Sequence, residues 1–352
     1  MRGRHLIAIV AALAGAALFA YAVRRAGVAD IVEAVRRVGW GLVLILVLAG
    51  LRFLVRAQCW RWCLPPSVGS GFPPPPQASA RLAEARSARE GGSRTAFPLR
   101  RALAAFLAGD AVGNVTPLGL LASEPAKVLL TRHHLATREA VASLAVENLV
   151  YAASVMAMVA IGLIVLAANV AMPGAWRMAI VAALVAMAGG GAVALRAMRG
   201  TWDDRRGPRP RWRERLAAVR DEAVRFSGGH PERLWRVFAL DLLFHALAVL
   251  EVFVTLRWLL ADRSPTLVQA VVFEALNRVI TAAFKFVPFR VGIDEATAGA
   301  LAPVLSVNPA AGVALAVVRK VRNLFWAAIG LLLVAMHPAA EGPPTGGRGR
   351  SA

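Results

Sequence analysis

Apolar residues in this 352-residue chain gather into runs about 20 long, broken by few polar positions, most of them charged. A run of that length matches the hydrocarbon thickness of a bilayer. Such runs predict spans over Met1–Val23, Trp40–Leu64, Glu139–Ala168, Trp176–Met198, Val237–Leu260 and Leu267–Val287, and a last helix reaching Met336. The expected class is an all-α polytopic membrane protein with about seven to eight spanning helices. One stretch departs from the pattern. Ala102–Val115 and Leu118–Leu130 are each too short to cross, and Pro117 lies between them. The proline pushes Thr116 out of helical geometry. The spacing therefore predicts a re-entrant hairpin, with a helix in, a turn at Pro117 and a helix out. Broken backbone at membrane depth is tolerated only where protein covers it or water reaches it, so this hairpin should line a polar cavity. Its polar residues are Asp110, Asn114, Glu124 and Lys127, with Ser123 expected to cap the outgoing helix.

A second broken segment, Lys285–Glu295 (KFVPFRVGIDE), echoes the first. Pro117 and Glu124 are seven residues apart with Gly119 between; Pro288 and Glu295 repeat that spacing around Gly292. Paired broken segments in two halves of a membrane protein point to a transport site, and the two are read as an internal repeat. Other polar positions fall inside spans. Arg52 and Arg56 share one helix face, and either snorkel to headgroups or meet a partner inside the protein. Glu147 and Asn148 lie in the third expected span. Asp241 and His245 share a face with Glu251 beyond them; too few for a metal site, they read as a hydrogen-bonded pair. Glu274, Asn277 and Arg278 precede the second broken segment, and Arg319, Lys320, Arg322 and Asn323 are expected to head the final helix, which Asn308-Pro309 caps and starts.

Composition sharpens the picture. The net charge of +20 comes from 38 Arg and three Lys, but the basic residues flank spans, so membrane topology explains them and nucleic-acid binding does not. Met1–Val23 reads as an uncleaved first span rather than a signal peptide, and Ala26–Gly39 as a short amphipathic connector. Residues 1–64 hold the first two spans, and 65–98 form a Pro/Gly/Ser/Arg-rich loop expected to be flexible and cytoplasmic. Residues 99–198 hold the hairpin and two spans. Residues 199–236 form a basic cytoplasmic segment, amphipathic over Trp212–Phe226, that either lies on anionic headgroups or is a plain topogenic loop. Residues 237–337 hold the second repeat, and 338–352 a disordered tail. Cys59 and Cys63 read as buried apolar residues rather than a disulfide or zinc site.

The Arg56, Trp60, Arg61, Trp62 cluster, the hairpin pattern Asn114-x-x-Pro117-x-Gly119-x-x-x-x-Glu124-x-x-Lys127, the later Pro288-x-x-x-Gly292-x-x-Glu295 and the basic final helix together resemble a known family. It is the flippase-like membrane region of lysylphosphatidylglycerol synthases, also found as stand-alone bacterial and archaeal proteins. The resemblance implies roles for Pro117, Gly119, Glu124 and Lys127, for Pro288, Gly292 and Glu295, and for Arg319 as the family's late arginine. Two departures stand out: Ala122-Ser123 where Gly-Gly is frequent, and Phe289-Arg290 in place of a smaller Gly-rich run. The synthases carry a soluble aminoacyl-transferase domain after the membrane part; this chain runs only to residue 352, so aminoacyl-lipid synthesis is not expected of it.

These features point to a lipid translocase of the cell (inner) membrane, flippase- or scramblase-like, for a phospholipid or another anionic or polyprenyl lipid. Glu124 with Lys127, and Lys285 or Arg290 with Glu295, would replace headgroup hydration. Ser123 would open a helix N-terminus toward a phosphate. With no P-loop in the sequence, transport is expected to be passive or ion-coupled, with Glu124, Glu147 or Glu295 as proton carrier. The candidate cavity residues are Arg52, Arg56, Asn114, Pro117, Gly119, Glu124, Lys127, Glu147, Asn148, Glu274, Asn277, Lys285, Pro288, Arg290, Gly292, Glu295 and Arg319. No catalytic residue, cofactor or metal is expected. The expected partner is a membrane lipid, with lipid- or glycan-biosynthesis enzymes as further candidates. The alternatives are a lipid-modifying enzyme, a scaffold of a biosynthetic complex, or charges that only hold broken helices together.

Overall fold

The computed structural model describes residues 28–64, 97–116, 119–199, 231–260, 263–284, 287–290 and 292–336. The expected first span, most of the 65–98 loop, the basic segment 200–230 and the tail lie outside them, as do Pro117 and Lys285. Ten α-helices follow in order: α1 Val28–Val38, α2 Gly41–Cys63, α3 Leu99–Val115, α4 Gly119–Thr131, α5 Thr137–Asn169, α6 Gly174–Arg199, α7 Pro231–Leu259, α8 Leu267–Ala283, α9 Ile293–Leu301 and α10 Pro309–Met336. Short 3-10 turns at Pro288–Arg290 and Ala302–Leu305 flank α9, and the described residues contain no strand.

Local chemistry sets these boundaries. α2 stops where Leu64, before Pro65, turns extended (ψ 147°), and α3 stops at Thr116 (ψ 138°), before Pro117. α8 opens on a reciprocal cap, in which the Thr266 hydroxyl accepts from the Gln269 N–H and the Gln269 side chain accepts from the Thr266 N–H. Asn308 Oδ1 accepts from Ala310 N at 2.9 Å, and Pro309 takes the first helical position of α10.

Among the described residues, four helices are long and apolar enough to cross a membrane: Gly41–Cys63, Thr137–Asn169, Gly174–Val193 and Glu232–Leu259. Their outer faces expose Leu44, Val47 and Leu51 on α2 and Val181 and Val185 on α6, as a hydrocarbon solvent permits. Two expectations change. α10 starts ten residues before Arg319, so Arg319, Lys320 and Arg322 stand in its middle rather than at its head. α8 has 17 residues and ends at Ala283 instead of reaching Val287, because Phe284 leaves helical geometry (ψ 32°).

The two short helices pack on each other. α3 and α4, about 26 and 20 Å long at 1.5 Å per residue, run antiparallel, with Arg100 and Arg101 at the start of α3 beside Leu130 and His134 at the end of α4. α3 also packs closely on α10. A Cβ on Gly330 would sit 2.3 Å from the Leu107 carbonyl oxygen, so only glycine allows that approach. α2 packs on α7, α5 on α8, and α9 on α10. The largest apolar core joins α5, α7, α8, α9 and α10 around Leu256, Phe273, Ala302 and Leu315; a second, around Trp60, Phe97, Phe106 and Leu144, joins α2, α3 and α5. Cys59 and Cys63 are buried free thiols, as their spacing suggested.

Candidate functional site

The helices enclose a cavity of about 760 Å³. α2 contributes Arg52, Phe53 and Arg56; α3 contributes Phe106, Asp110 and Asn114; α4 contributes Ser123, Glu124 and Lys127. Asn148 and Tyr151 come from α5, Phe244 from α7, and Asn277, Arg278 and Thr281 from α8. Arg290 enters from the 3-10 turn, and Arg322 and Asn323 from α10. Six cations thus line the cavity against two carboxylates, Asp110 and Glu124.

The other carboxylates stand behind the cations. Glu251, 1% exposed, pairs with Arg52 (2.8 Å) and with Arg322. Glu274, 2% exposed, pairs with Arg278 and with Arg319 (3.0 Å). Glu251 on α7 thus ties α2 to α10 and Glu274 ties α8 to α10, each carboxylate between two arginines with one positive charge left over. Arg56 has the inverse arrangement, with Glu147 at 2.8 Å and Asp241 at 3.5 Å. The Arg56–Glu147 contact is an ion pair off the hydrogen-bonding direction, so neither Glu147 oxygen accepts a hydrogen bond among the described residues. Asp241 Oδ2 is likewise unbonded. Glu274, by contrast, accepts from Arg278 Nε (2.7 Å), Arg319 Nη2 (3.0 Å) and Asn277 Nδ2 (3.4 Å).

Aromatic faces hold the guanidiniums in place. Arg56 lies 3.6 Å over Tyr151, Arg52 and Arg278 lie 4.6 and 5.1 Å from the Phe244 centroid, and Lys127 lies 4.2 Å over Phe106. A cation over a ring is favoured by the ring quadrupole, more so when desolvated. Arginine among carboxylates and rings suits an anion such as phosphate, because its planar fork of donors can meet two of the anion's oxygens at once.

The anticipated residues divide. Arg52, Arg56, Asn114, Glu124, Lys127, Asn148, Asn277 and Arg290 all line the cavity, and Glu147 and Glu274 stand directly behind it. Arg52 and Arg56 meet carboxylate partners inside the protein rather than snorkelling. The Glu124–Lys127 pair forms at 2.8 Å; a Cβ on Gly109 would meet Lys127 Cγ at 2.7 Å and the Ser123 carbonyl oxygen at 3.0 Å, so α3 and α4 close over that lysine. Gly119 is the first residue of α4, and Pro117 and Lys285 fall outside the described residues.

Several expectations are corrected. Glu295 pairs with Lys320, not with Arg290; its second oxygen accepts from the Gly292 N–H at 2.8 Å, which makes it the cap of α9. Arg290 instead pairs with Asp294 at 3.1 Å, one helical turn away. Ser123 does not open a helix: α4 starts at Gly119 and continues through Pro125 at its midpoint, which forfeits one backbone bond. Asp241 and His245 share a face but not a bond, since Asp241 turns to Arg56 and His245 to Ser154 (3.1 Å). Arg319 lies outside the cavity lining and braces Glu274 from behind. Pro288 opens the 3-10 turn. There Phe289 (φ 49°) and Arg290 (φ 47°) are left-handed, the conformation glycine adopts without cost, followed by Gly292 at φ 83°. No cluster of three metal-binding side chains occurs among the described residues.

A profile of the Lysylphosphatidylglycerol synthase TM region family matches residues 6–330. The chain belongs to that family. It is a multi-pass membrane protein. No curated protein and no solved structure matches it. The cavity is also lined by Phe106, Tyr151 and Phe244, which the sequence reading did not name, and by Asp110, Arg278, Arg322 and Asn323, which it named as polar positions but not among the candidate cavity residues. Arg278 carried a signal, since it sits four residues after Glu274 inside an apolar run. The aromatics carried none, because an aromatic on a spanning helix reads equally well as core or lipid contact.

Proposed function

We propose that this protein is a lipid translocase of the cell (inner) membrane that carries an anionic headgroup through the central cavity while the acyl or prenyl chains stay in hydrocarbon. One observation carries the reading: the cations of the site face the cavity, and most of their carboxylate partners stand behind them. A headgroup phosphate entering there meets donors whose own desolvation is already offset, which is what a polar group leaving water requires. The asparagines at 114, 148, 277 and 323 add neutral donors and acceptors for the rest of a headgroup. On this reading α3 and α4, and the segment from α8 to α9, are the two re-entrant elements of a repeat among seven to eight spans, as the backbone breaks at Thr116 and Phe289 support. The chain moves a lipid without making or breaking a bond, passively or by ion coupling. Of Glu124, Glu147 and Glu295, we favour Glu147 as proton carrier. It shares Arg56 with Asp241, and a proton there displaces no hydrogen bond.

The test is reconstitution of the full chain into liposomes with headgroup-labelled phosphatidylglycerol or phosphatidylcholine, followed by accessibility of the label to a membrane-impermeant quencher and by analysis of the lipids recovered. Loss of the protected pool in the phosphatidylglycerol vesicles, with no new lipid product, is expected. A new product identifies an enzyme instead, and no change in either measurement leaves the cavity a structural feature.

A further inference from the structure

A second cavity, of about 390 Å³, opens on the far side of the α3–α4 pair. Its walls are Ala104, Ala105 and Ala108 of α3, Leu130 of α4 and Leu333 of α10; its rim is Arg100, Arg101 and His134. α3 separates it from the central cavity: Ala105 and Ala108 face one, Phe106 and Asp110 the other. The rim differs from the central site in one respect. Every cation there except Arg290 and Lys127 is braced by a carboxylate deep in the protein, and those two pair with Asp294 and Glu124, three or four residues away in the chain. Neither the Arg100 nor the Arg101 guanidinium has an ion pair or hydrogen bond among the described residues. His134 is held below its ordinary pKa by partial burial and then by its neighbours Arg101 and His133. The rim gathers positive charge over a narrow apolar slot made mainly of alanine side chains.

We infer that this groove is a binding site for one anionic glycerophospholipid, with its phosphate on Arg100 and Arg101 and an acyl chain along Ala104, Ala105, Ala108 and Leu333. Charge complementarity selects the occupant: a free phosphate uses the rim but not the slot, and a zwitterionic lipid fills the slot but brings its own cation against Arg100 and Arg101. The site is separate from the translocation cavity. It rests on the proposed membrane placement only in that the open end of the α3–α4 pair lies at headgroup depth, where basic side chains reach phosphates while their stems stay in apolar surroundings. Lipid held there packs directly on the two short helices and on α10, the elements that carry Asp110, Lys127 and Arg322 into the central cavity.

The experiment is native mass spectrometry of the full-length protein exchanged into detergent with equal phosphatidylglycerol and phosphatidylcholine, scoring the first retained lipid. Four proteins are compared: wild type, Arg100→Gln/Arg101→Gln, Ala104→Trp, which fills the slot, and Ala152→Trp, at a residue of α5 that lines the central cavity, which narrows it. Wild type and Ala152→Trp should retain phosphatidylglycerol in preference. The double arginine variant should lose that preference by roughly thirtyfold, about fivefold for each basic side chain near an anionic phosphate. Ala104→Trp should lose the lipid of the groove and keep only what the central cavity holds. If Ala104→Trp does not fold, the double variant, altered only at the rim, still decides. Unchanged preference in the double variant overturns the inference. Loss confined to Ala152→Trp also overturns it, because the retained lipid then belongs to the central cavity. A protein inactive in the liposome assay that still shows the expected pattern keeps this site and loses only the translocase reading.

Discussion

Replacing Glu251 by Gln tests whether the carboxylates behind the cavity hold its cations in place. Glu251 is 1% exposed and bridges Arg52 on α2 to Arg322 on α10. Glutamine keeps the shape and removes the charge, leaving two guanidiniums facing a cavity with no counterion between them. Removing one partner of a buried ion pair costs about 3–5 kcal/mol, which for a protein of this size is a fall in midpoint on the order of 5–15 °C. The contrast is Glu124→Gln. That pair with Lys127 lies three residues apart on one helix, and the carboxylate is 27% exposed although the lysine is buried, so its loss costs less, about 1–3 kcal/mol. The assay is thermal unfolding by tryptophan fluorescence of protein in zwitterionic detergent, without and with added phosphatidylglycerol. Glu251→Gln should fall below Glu124→Gln in the zwitterionic detergent. Added phosphatidylglycerol should then raise its midpoint more than that of wild type, because a phosphate can take the vacated place between Arg52 and Arg322. Equal midpoints for the two variants in zwitterionic detergent, or equal gains from phosphatidylglycerol in Glu251→Gln and wild type, would refute the reasoning.

Four further outcomes are expected. Arg56→Lys keeps the charge but cannot both fork between Glu147 and Asp241 and stack on Tyr151, so stabilisation by anionic over zwitterionic lipid should shrink; an identical response in every lipid removes Arg56 from the site. Gly109→Val should still insert but lose transport, since its side chain meets the Ser123 carbonyl oxygen, which cannot move as Lys127 can; normal transport would show that α3 and α4 need not close. Arg290→Gly should leave stability within about 1 kcal/mol, because relief of a left-handed arginine offsets the part-exposed pair with Asp294, while weakening the response to anionic lipid; a large midpoint change would contradict the strain argument. Cysteines at Arg94, His134 and Arg213 should all label from one side of the membrane, and a His134 site on the opposite face would make residues 102–130 a true crossing.

What the sequence determined by itself is the class of environment and the places where the backbone gives way. Hydrocarbon solvates nothing polar, so a spanning helix must announce itself as an apolar run, and the bounds of α2, α5 and α6 were legible within two or three residues. Proline acts on its immediate neighbour, which is why the stop at Thr116 could be read directly. Buried charge in such a chain is costly enough to mark itself, and Arg52, Arg56, Glu147 and Glu274 stood out for that reason. Only the tertiary structure decided the pairings. Glu251 lies 199 residues from Arg52 and 71 from Arg322, and no local rule connects them. Glu124 and Glu295 occupy equal places in an apparent repeat, yet one lines the cavity and the other caps its own helix, because Gly119 leads directly into α4 whereas a left-handed Phe289-Arg290 turn precedes α9. Which side of each cation faces the cavity is likewise a property of how α2, α7, α8 and α10 rotate against one another. That rotation is set by packing over the whole bundle, and it places the arginines in front of the carboxylates.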